Sequence, residues 1–172
     1  MTAYVSRVFF TLLGAAFAAG FAHADHLLPP ANPELVVLVA GPDAAKTARH
    51  VLTRAELDRL PQVSFASRNL WSTEEHAYSG PTLQTVIEAS GVPRARRVVA
   101  RSITDYRSVL RDDDIWGEAP IIATRIDGEV FGLRKGGPFW IVYPYDTALA
   151  HTAHDLIAGS VGQLIELKIE PE

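Results

Sequence analysis

Hydrophobic positions along this chain come in short runs, and the period of each run predicts an element. Leu35-Val36-Val37-Leu38-Val39-Ala40 is apolar throughout and stops at Gly41-Pro42, as a buried strand does. Gln62-Val63-Ser64-Phe65-Ala66 and Leu164-Ile165-Glu166-Leu167-Lys168-Ile169 alternate instead, as half-buried strands do. Arg97-Val98-Val99-Ala100 and the run from Phe139 to Tyr143 predict two more. Leu83, Val86 and Ile87 share one helical face. Their helix opens at Ser79-Gly80-Pro81, with proline near its first turn, and closes at Gly91. Thr53-Arg54-Ala55-Glu56 reads as a capping box opening a short helix that Pro61 ends. Asp127-Gly128, between Ile121 to Ile126 and Glu129 to Leu133, predicts a hairpin. Thr147 to Ile157 has helical character. Many short strands, one hairpin and few helices predict an α+β fold with a mixed or antiparallel sheet and a few short helices.

The first 24 residues depart from that pattern. Arg7 precedes a short apolar run from Val8 to Phe21, and Ala22-His23-Ala24 stands before Asp25. A basic start, a short apolar middle and an Ala-x-Ala end predict a secretory signal peptide, residues 1–24, cleaved after Ala24. A membrane anchor asks for roughly 20 apolar residues, and this run is shorter and rich in Ala and Gly. Residues 25–34, broken by prolines, read as a linker, and residues 35–172 as a single domain. Of the 172 residues, 148 remain after cleavage, enough for a sizeable core. The removed segment holds one basic and no acidic residue, so the net charge moves from −4 to −5. That mild acidity speaks against nucleic acid or an anionic membrane surface as partner. The chain has no cysteine, which excludes disulfide partners, thiolate nucleophiles, thiolate metal sites and iron–sulfur clusters.

Some groups of residues carry candidate chemistry. His151-x-x-His154 beside Asp155 places two imidazoles on one helical face, and a metal site there needs a third ligand such as His76. So sparse a ligand set favours the plainer reading, a polar helix face. Asp112-Asp113-Asp114 suits the positive end of a helix better than a cation, because three consecutive carboxylates fan apart. Arg94-x-Arg96-Arg97 reads as a solvated strand edge.

Ser67-Arg68-Asn69-Leu70-Trp71-Ser72 follows a strand and combines a guanidinium, an amide and an indole at a strand end, where binding loops gather. Equally, Trp71 can pack down on the core. Lys135-Gly136-Gly137-Pro138-Phe139-Trp140-Ile141-Val142-Tyr143 poses the same choice. Phe139, Ile141 and Tyr143 share one strand face, and Trp140 and Val142 the other. Both sets can be buried only if the sheet is covered twice. Gly136-Gly137 lets backbone N–H groups approach a ligand, with Arg134 and Lys135 just before them.

In order along the chain stand Phe65-Ala66-Ser67-x-x-x-Trp71-Ser72, then Tyr78-Ser79-Gly80-Pro81-x-Leu83 leading to Gly91, then Asp105-Tyr106. Ile122-Ala123-Thr124 with Asp127-Gly128 follows, and finally Arg134-x-Gly136-Gly137-Pro138-x-Trp140-Ile141-Val142-Tyr143-Pro144. This order resembles the molybdopterin-binding domain of the sulfite oxidase family, in its short, exported bacterial form, over most of residues 35 to 170. In catalytic members of that family a cysteine thiolate ligates molybdenum, four residues before a Trp-Ser pair in the nearest relatives. The matching position here is Ser67, and a neutral hydroxyl is a poor substitute for a soft thiolate.

The resemblance is closest to small periplasmic pterin-binding proteins of the PruR type. It implies a periplasmic, non-catalytic protein that binds a reduced pterin without metal. It also implies a partner, the periplasmic part of a membrane-bound protein with diguanylate cyclase and phosphodiesterase domains, and so a role in cyclic-di-GMP signalling. The alternative is a molybdopterin-dependent oxidoreductase of the sulfite oxidase family. A third reading is an assembly factor whose pocket is plugged by Trp71 or Trp140. Under the first, Trp71, Tyr106 and Trp140 supply stacking faces, and Ser67, Arg68 and Asn69 hydrogen-bond the pterin edge. Asp105, Arg134 and the amides of Gly136 and Gly137 complete the pocket. Short members usually carry Trp-Gln-Leu near the last strand, where this chain has Gly162-Gln163-Leu164, which implies a weakened or remodelled site if that tryptophan helps hold ligand or partner.

Overall fold

The computed structural model describes residues 31–41, 46–69, 73–147 and 152–172. The predicted signal peptide, Trp71 and His151 lie outside the described residues. The main sheet comprises β1 (Glu34–Val39), β2 (Ala48–Thr53), β5 (Ala95–Ser102), β6 (Arg107–Leu110) and β10 (Leu164–Pro171), in the order β2-β1-β10-β5-β6. β1 runs parallel to β10, and the other neighbours are antiparallel. The sheet is therefore mixed and the fold α+β, as the pattern predicts. A second sheet orders β3 (Val63–Arg68), β4 (Glu75–Gly80) and β8 (Arg125–Ile126). A short antiparallel pair, β7 (Ile121–Ala123) with β9 (Trp140–Val142), completes the strands among the described residues.

Four short helices are described: α1 (Arg54–Leu57), α2 (Leu83–Ala89), α3 (Asp112–Ile115) and α4 (Ala153–Gly159). α1 has the predicted capping box, with the Thr53 N–H donating to Glu56 Oε2 at 2.8 Å and the Glu56 N–H donating back to Thr53 Oγ1 at 3.3 Å. α3 begins on its three aspartates, where the helix end favours negative charge. α2 starts later than proline placement suggests. Thr82 is its N-cap, accepting the Thr85 N–H at 3.1 Å, and this hydroxyl outcompetes Pro81 as the start signal. Ser79 and Gly80 belong to β4 instead.

Gly80 is required by close approach: a Cβ there would stand 2.0 Å from the carbonyl oxygen of Ile122. Gly80→Ala is accordingly expected to destabilise the fold by about 1–3 kcal/mol through overpacking. A midpoint of thermal unfolding equal to wild type would contradict this.

Two expectations need correction. Asp127 and Gly128 adopt left-handed φ of 53° and 80°, as a type I′ turn requires, and Ile126 and Glu129 exchange both backbone hydrogen bonds at 2.9 Å. The second arm, however, ends at that one bridge. β8 pairs with β4, and beyond Glu129 Phe131 buries itself before a 3-10 turn at Leu133–Lys135. The helix expected from Thr147 begins only at Ala153, because Thr152 caps it in a box with Asp155.

The β7–β9 pair is a septum between two cores. Phe139, Ile141 and Tyr143 join the larger core with Leu35, Val37, Val98, Leu167, Ile169 and the buried face of α2. Trp140 and Val142 join a smaller core with Tyr78, Ile121, Ala123, Ile126 and Phe131. The strand is covered on both faces, so both alternating sets are buried. Arg54 braces the septum by donating to the carbonyl oxygens of Thr124 and Pro138, with its guanidinium over the Phe139 ring.

Candidate ligand-binding cleft

A cleft of about 540 Å³ opens beside the smaller core. Asn69, at the end of β3, and His76 and Tyr78, two apart on β4, form one side. Arg134, Lys135 and Gly136 of the 3-10 turn form another, and Trp140, Ile126, Ser160, Gly162 and Glu74 complete the lining. The period of two along β4 is what turns His76 and Tyr78 the same way.

Tyr78 is fully buried and its hydroxyl accepts from Asn69 Nδ2 at 2.9 Å. Burial pushes the Tyr78 phenol above its ordinary range, and the Asn69 bond offsets part of that rise. Its ring meets Trp140 edge to face, with centroids 6.0 Å apart and planes at 87°. Gly136 lies against the same indole. Its φ is 87°, and a Cβ would stand 2.9 Å from Trp140 Cε3. Trp140 is 9% exposed. It is thus a core residue with a margin on the cleft, which corrects the expectation of an open stacking face.

The paired glycines also serve the fold first. The Gly136 N–H donates to the Leu133 carbonyl at 3.2 Å and the Gly137 N–H to the Gly132 carbonyl at 3.0 Å. Both amides are spent within the turn, so neither faces a ligand as expected. Gly137 is held against the main chain, where a Cβ would stand 2.2 Å from the Phe131 carbonyl oxygen. The turn is fastened to the last strand by Gln163, whose N–H donates to the Gly136 carbonyl at 2.6 Å.

Ser67 is fully buried. Its hydroxyl lies 3.0 Å from the Arg68 carbonyl oxygen and 3.3 Å from Asp146 Oδ2, which also accepts the Arg68 N–H at 3.0 Å. The group clamps the Tyr145 to Thr147 turn onto β3. Of Ser67, Arg68 and Asn69, only Asn69 lines the cleft.

Asp105 and Tyr106 form the turn between β5 and β6, in the main sheet. Asp105 has a φ of 64° and accepts from Arg107 at 2.9 Å, and the Tyr106 hydroxyl donates to the Ala158 carbonyl at 3.0 Å. Neither lines the cleft. Arg134 does, and Trp71 lies outside the described residues.

His76 and Lys135 enter the cleft beside Arg134, and the sequence carried a signal for His76. Its i,i+2 relation to Tyr78 becomes informative once Glu75–Gly80 is read as a strand. His76 Nδ1 lies 2.8 Å from Asp127 Oδ2. Asp127 Oδ1 accepts the Ala77 N–H at 2.9 Å. That amide bond, then His76, holds the Asp127 carboxyl below its usual range. Among the described residues no group of three or more His, Asp and Glu could hold a metal ion. The considered histidine site includes His151, which lies outside the described residues.

The fold and cleft define an α+β protein with an aromatic-floored cavity rimmed by both cationic and acceptor groups. No protein-family model matches this chain, and neither does any curated protein.

Proposed function

We propose that this chain is an exported, non-catalytic pterin-binding protein with a sulfite oxidase-like fold. Its ligand-loaded form would be read by the periplasmic part of a membrane-bound cyclase and phosphodiesterase, in cyclic-di-GMP signalling. The observation that carries the reading is the cleft itself. Its volume falls in the range of small-molecule sites, roughly 300–1,000 Å³, and its lining combines an apolar floor with a few directed polar groups. The margins of Trp140 and Ile126, backed by the buried Tyr78, supply the apolar part, while Asn69, His76, Arg134 and Lys135 supply hydrogen bonds for a heterocycle's edge.

Ser67 supports the non-catalytic half of the reading. A hydroxyl is a poor molybdenum ligand, and this one is buried and committed to neighbouring groups. The residues therefore suit a pterin and do not suit a thiolate-type molybdenum centre. Anaerobic calorimetry with tetrahydrobiopterin is expected to give one-to-one binding. Elemental analysis of protein purified from its native host is expected to give no stoichiometric molybdenum. Stoichiometric molybdenum would overturn the proposal in favour of the oxidoreductase.

A further inference from the structure

His76 enters the cleft already oriented. Asp127 is held below the usual carboxylate range by the Ala77 amide and by His76, so it is ionised and can only accept hydrogen bonds. The ring nitrogen facing it, Nδ1 at 2.8 Å, must therefore carry a proton. In the neutral imidazole this leaves Nε2 with a lone pair as an acceptor. Glu74 Oε2 stands 3.9 Å from Nε2, too far for a hydrogen bond, on a side chain 81% exposed. Asp127 is set in turn by the main chain. Its left-handed φ of 53° opens the turn completed by Gly128, and its second oxygen is fixed by the β4 backbone.

Asn69, Glu74 and Ser160 also border the cleft, Glu74 as an exposed carboxylate that accepts. Arg134 and Lys135 can only donate. An acceptor on β4 and donors on the 3-10 turn thus border one cavity.

We infer that His76 Nε2 is the acceptor that orients the ligand, taking an N–H from the edge of a flat heterocycle whose carbonyl or anionic side meets Arg134 and Lys135. Asp127 is a positioning residue that acts through His76 by fixing its tautomer. The inference rests on the proposed pterin-binding function and deepens it. It narrows the ligand to a ring with donors on one part of its edge and acceptors on another, which the aminopyrimidinone half of a pterin provides.

Three variants test this with tetrahydrobiopterin as the titrant, under anaerobic conditions. Asp127→Asn keeps an oxygen for the Ala77 N–H, and asparagine tolerates the left-handed turn position. Its amide donates to His76 Nδ1, so the proton moves to Nε2 and the acceptor is lost. His76→Asn keeps a donor at the δ position and removes the ε position, and His76→Gln does the reverse. The expected result is that Asp127→Asn and His76→Asn bind about tenfold or more weakly, while His76→Gln stays within about threefold of wild type. Nitrogen-15 spectra of the imidazole should report the Nδ1–H tautomer in wild type and the Nε2–H tautomer in Asp127→Asn.

If Asp127→Asn and His76→Asn bind as tightly as wild type, Nε2 is not the anchor and the inference falls, while the pterin reading stands. The reversed pattern, with His76→Asn tight and His76→Gln weak, also overturns it, because His76 then serves only to hold Asp127. Failure of the wild type to bind tetrahydrobiopterin would overturn both.

Discussion

Gly162→Phe is expected to abolish ligand binding while leaving the protein folded. Gly162 lines the cleft, and a Cβ at that position would make only ordinary contacts, 3.7 Å from both Trp140 Nε1 and Gly136 Cα. Its backbone lies outside the left-handed region, so a side chain adds no strain there. The new benzyl group is expected to enter the cavity of about 540 Å³ that Gly162 lines. A ligand competing for that volume should lose affinity by about 100-fold or more, equivalent to about 2.7 kcal/mol. Calorimetry reads the affinity, and thermal unfolding verifies the fold. Retained binding with an unchanged midpoint would place the ligand elsewhere on the molecule.

Trp140→Ala is expected to act mainly on stability. The indole fills the smaller core among Tyr78, Ile121, Ala123, Ile126, Phe131 and Val142, and is 9% exposed. Truncating a buried tryptophan to alanine costs about 3–5 kcal/mol, because the cavity left behind collapses only in part. The edge-to-face contact with Tyr78 and the glycine contact from the 3-10 turn are lost as well. Against a total stability of about 5–15 kcal/mol, that loss should be plain in denaturant unfolding. A cost below about 1 kcal/mol would mean the indole is peripheral. Binding data on this variant require protein shown to be folded, which makes Gly162→Phe and Asp127→Asn the cleaner probes of the cleft.

The contrast between these two positions marks how far sequence reasoning reaches. Apolar runs and alternation identified β1, β3, β5, β9 and β10 because both patterns are written in the chain itself. It also separated Phe139, Ile141 and Tyr143 from Trp140 and Val142, and the two cores divide them the same way. Legibility failed where a residue's role depends on a distant neighbour. Gly136 and Gly137 look like a ligand cradle in isolation. Their use becomes visible only when Trp140 folds against one and the Phe131 carbonyl against the other.

Ser67 looked available at a strand end, but Asp146, 79 residues later, helps seal it inside. β4 was hard to see because its sequence, EHAYSG, is mostly polar. That polarity is what equips the cleft, since His76 faces the cavity from this strand and Asp127 reaches it from the turn after β8. Asp127-Gly128 was legible as a turn, whereas its second task, orienting a histidine 51 positions earlier, follows only from strand pairing.

The central claim is that the cleft holds a pterin, and the most direct measurement is to identify what the protein carries. Protein purified anaerobically from its native host, denatured and analysed by fluorescence and mass spectrometry, should release one reduced pterin per chain. Gly162→Phe prepared in the same way should release none. Release of no heterocycle from the wild type, or of the same compound in equal amount from Gly162→Phe, would contradict the account.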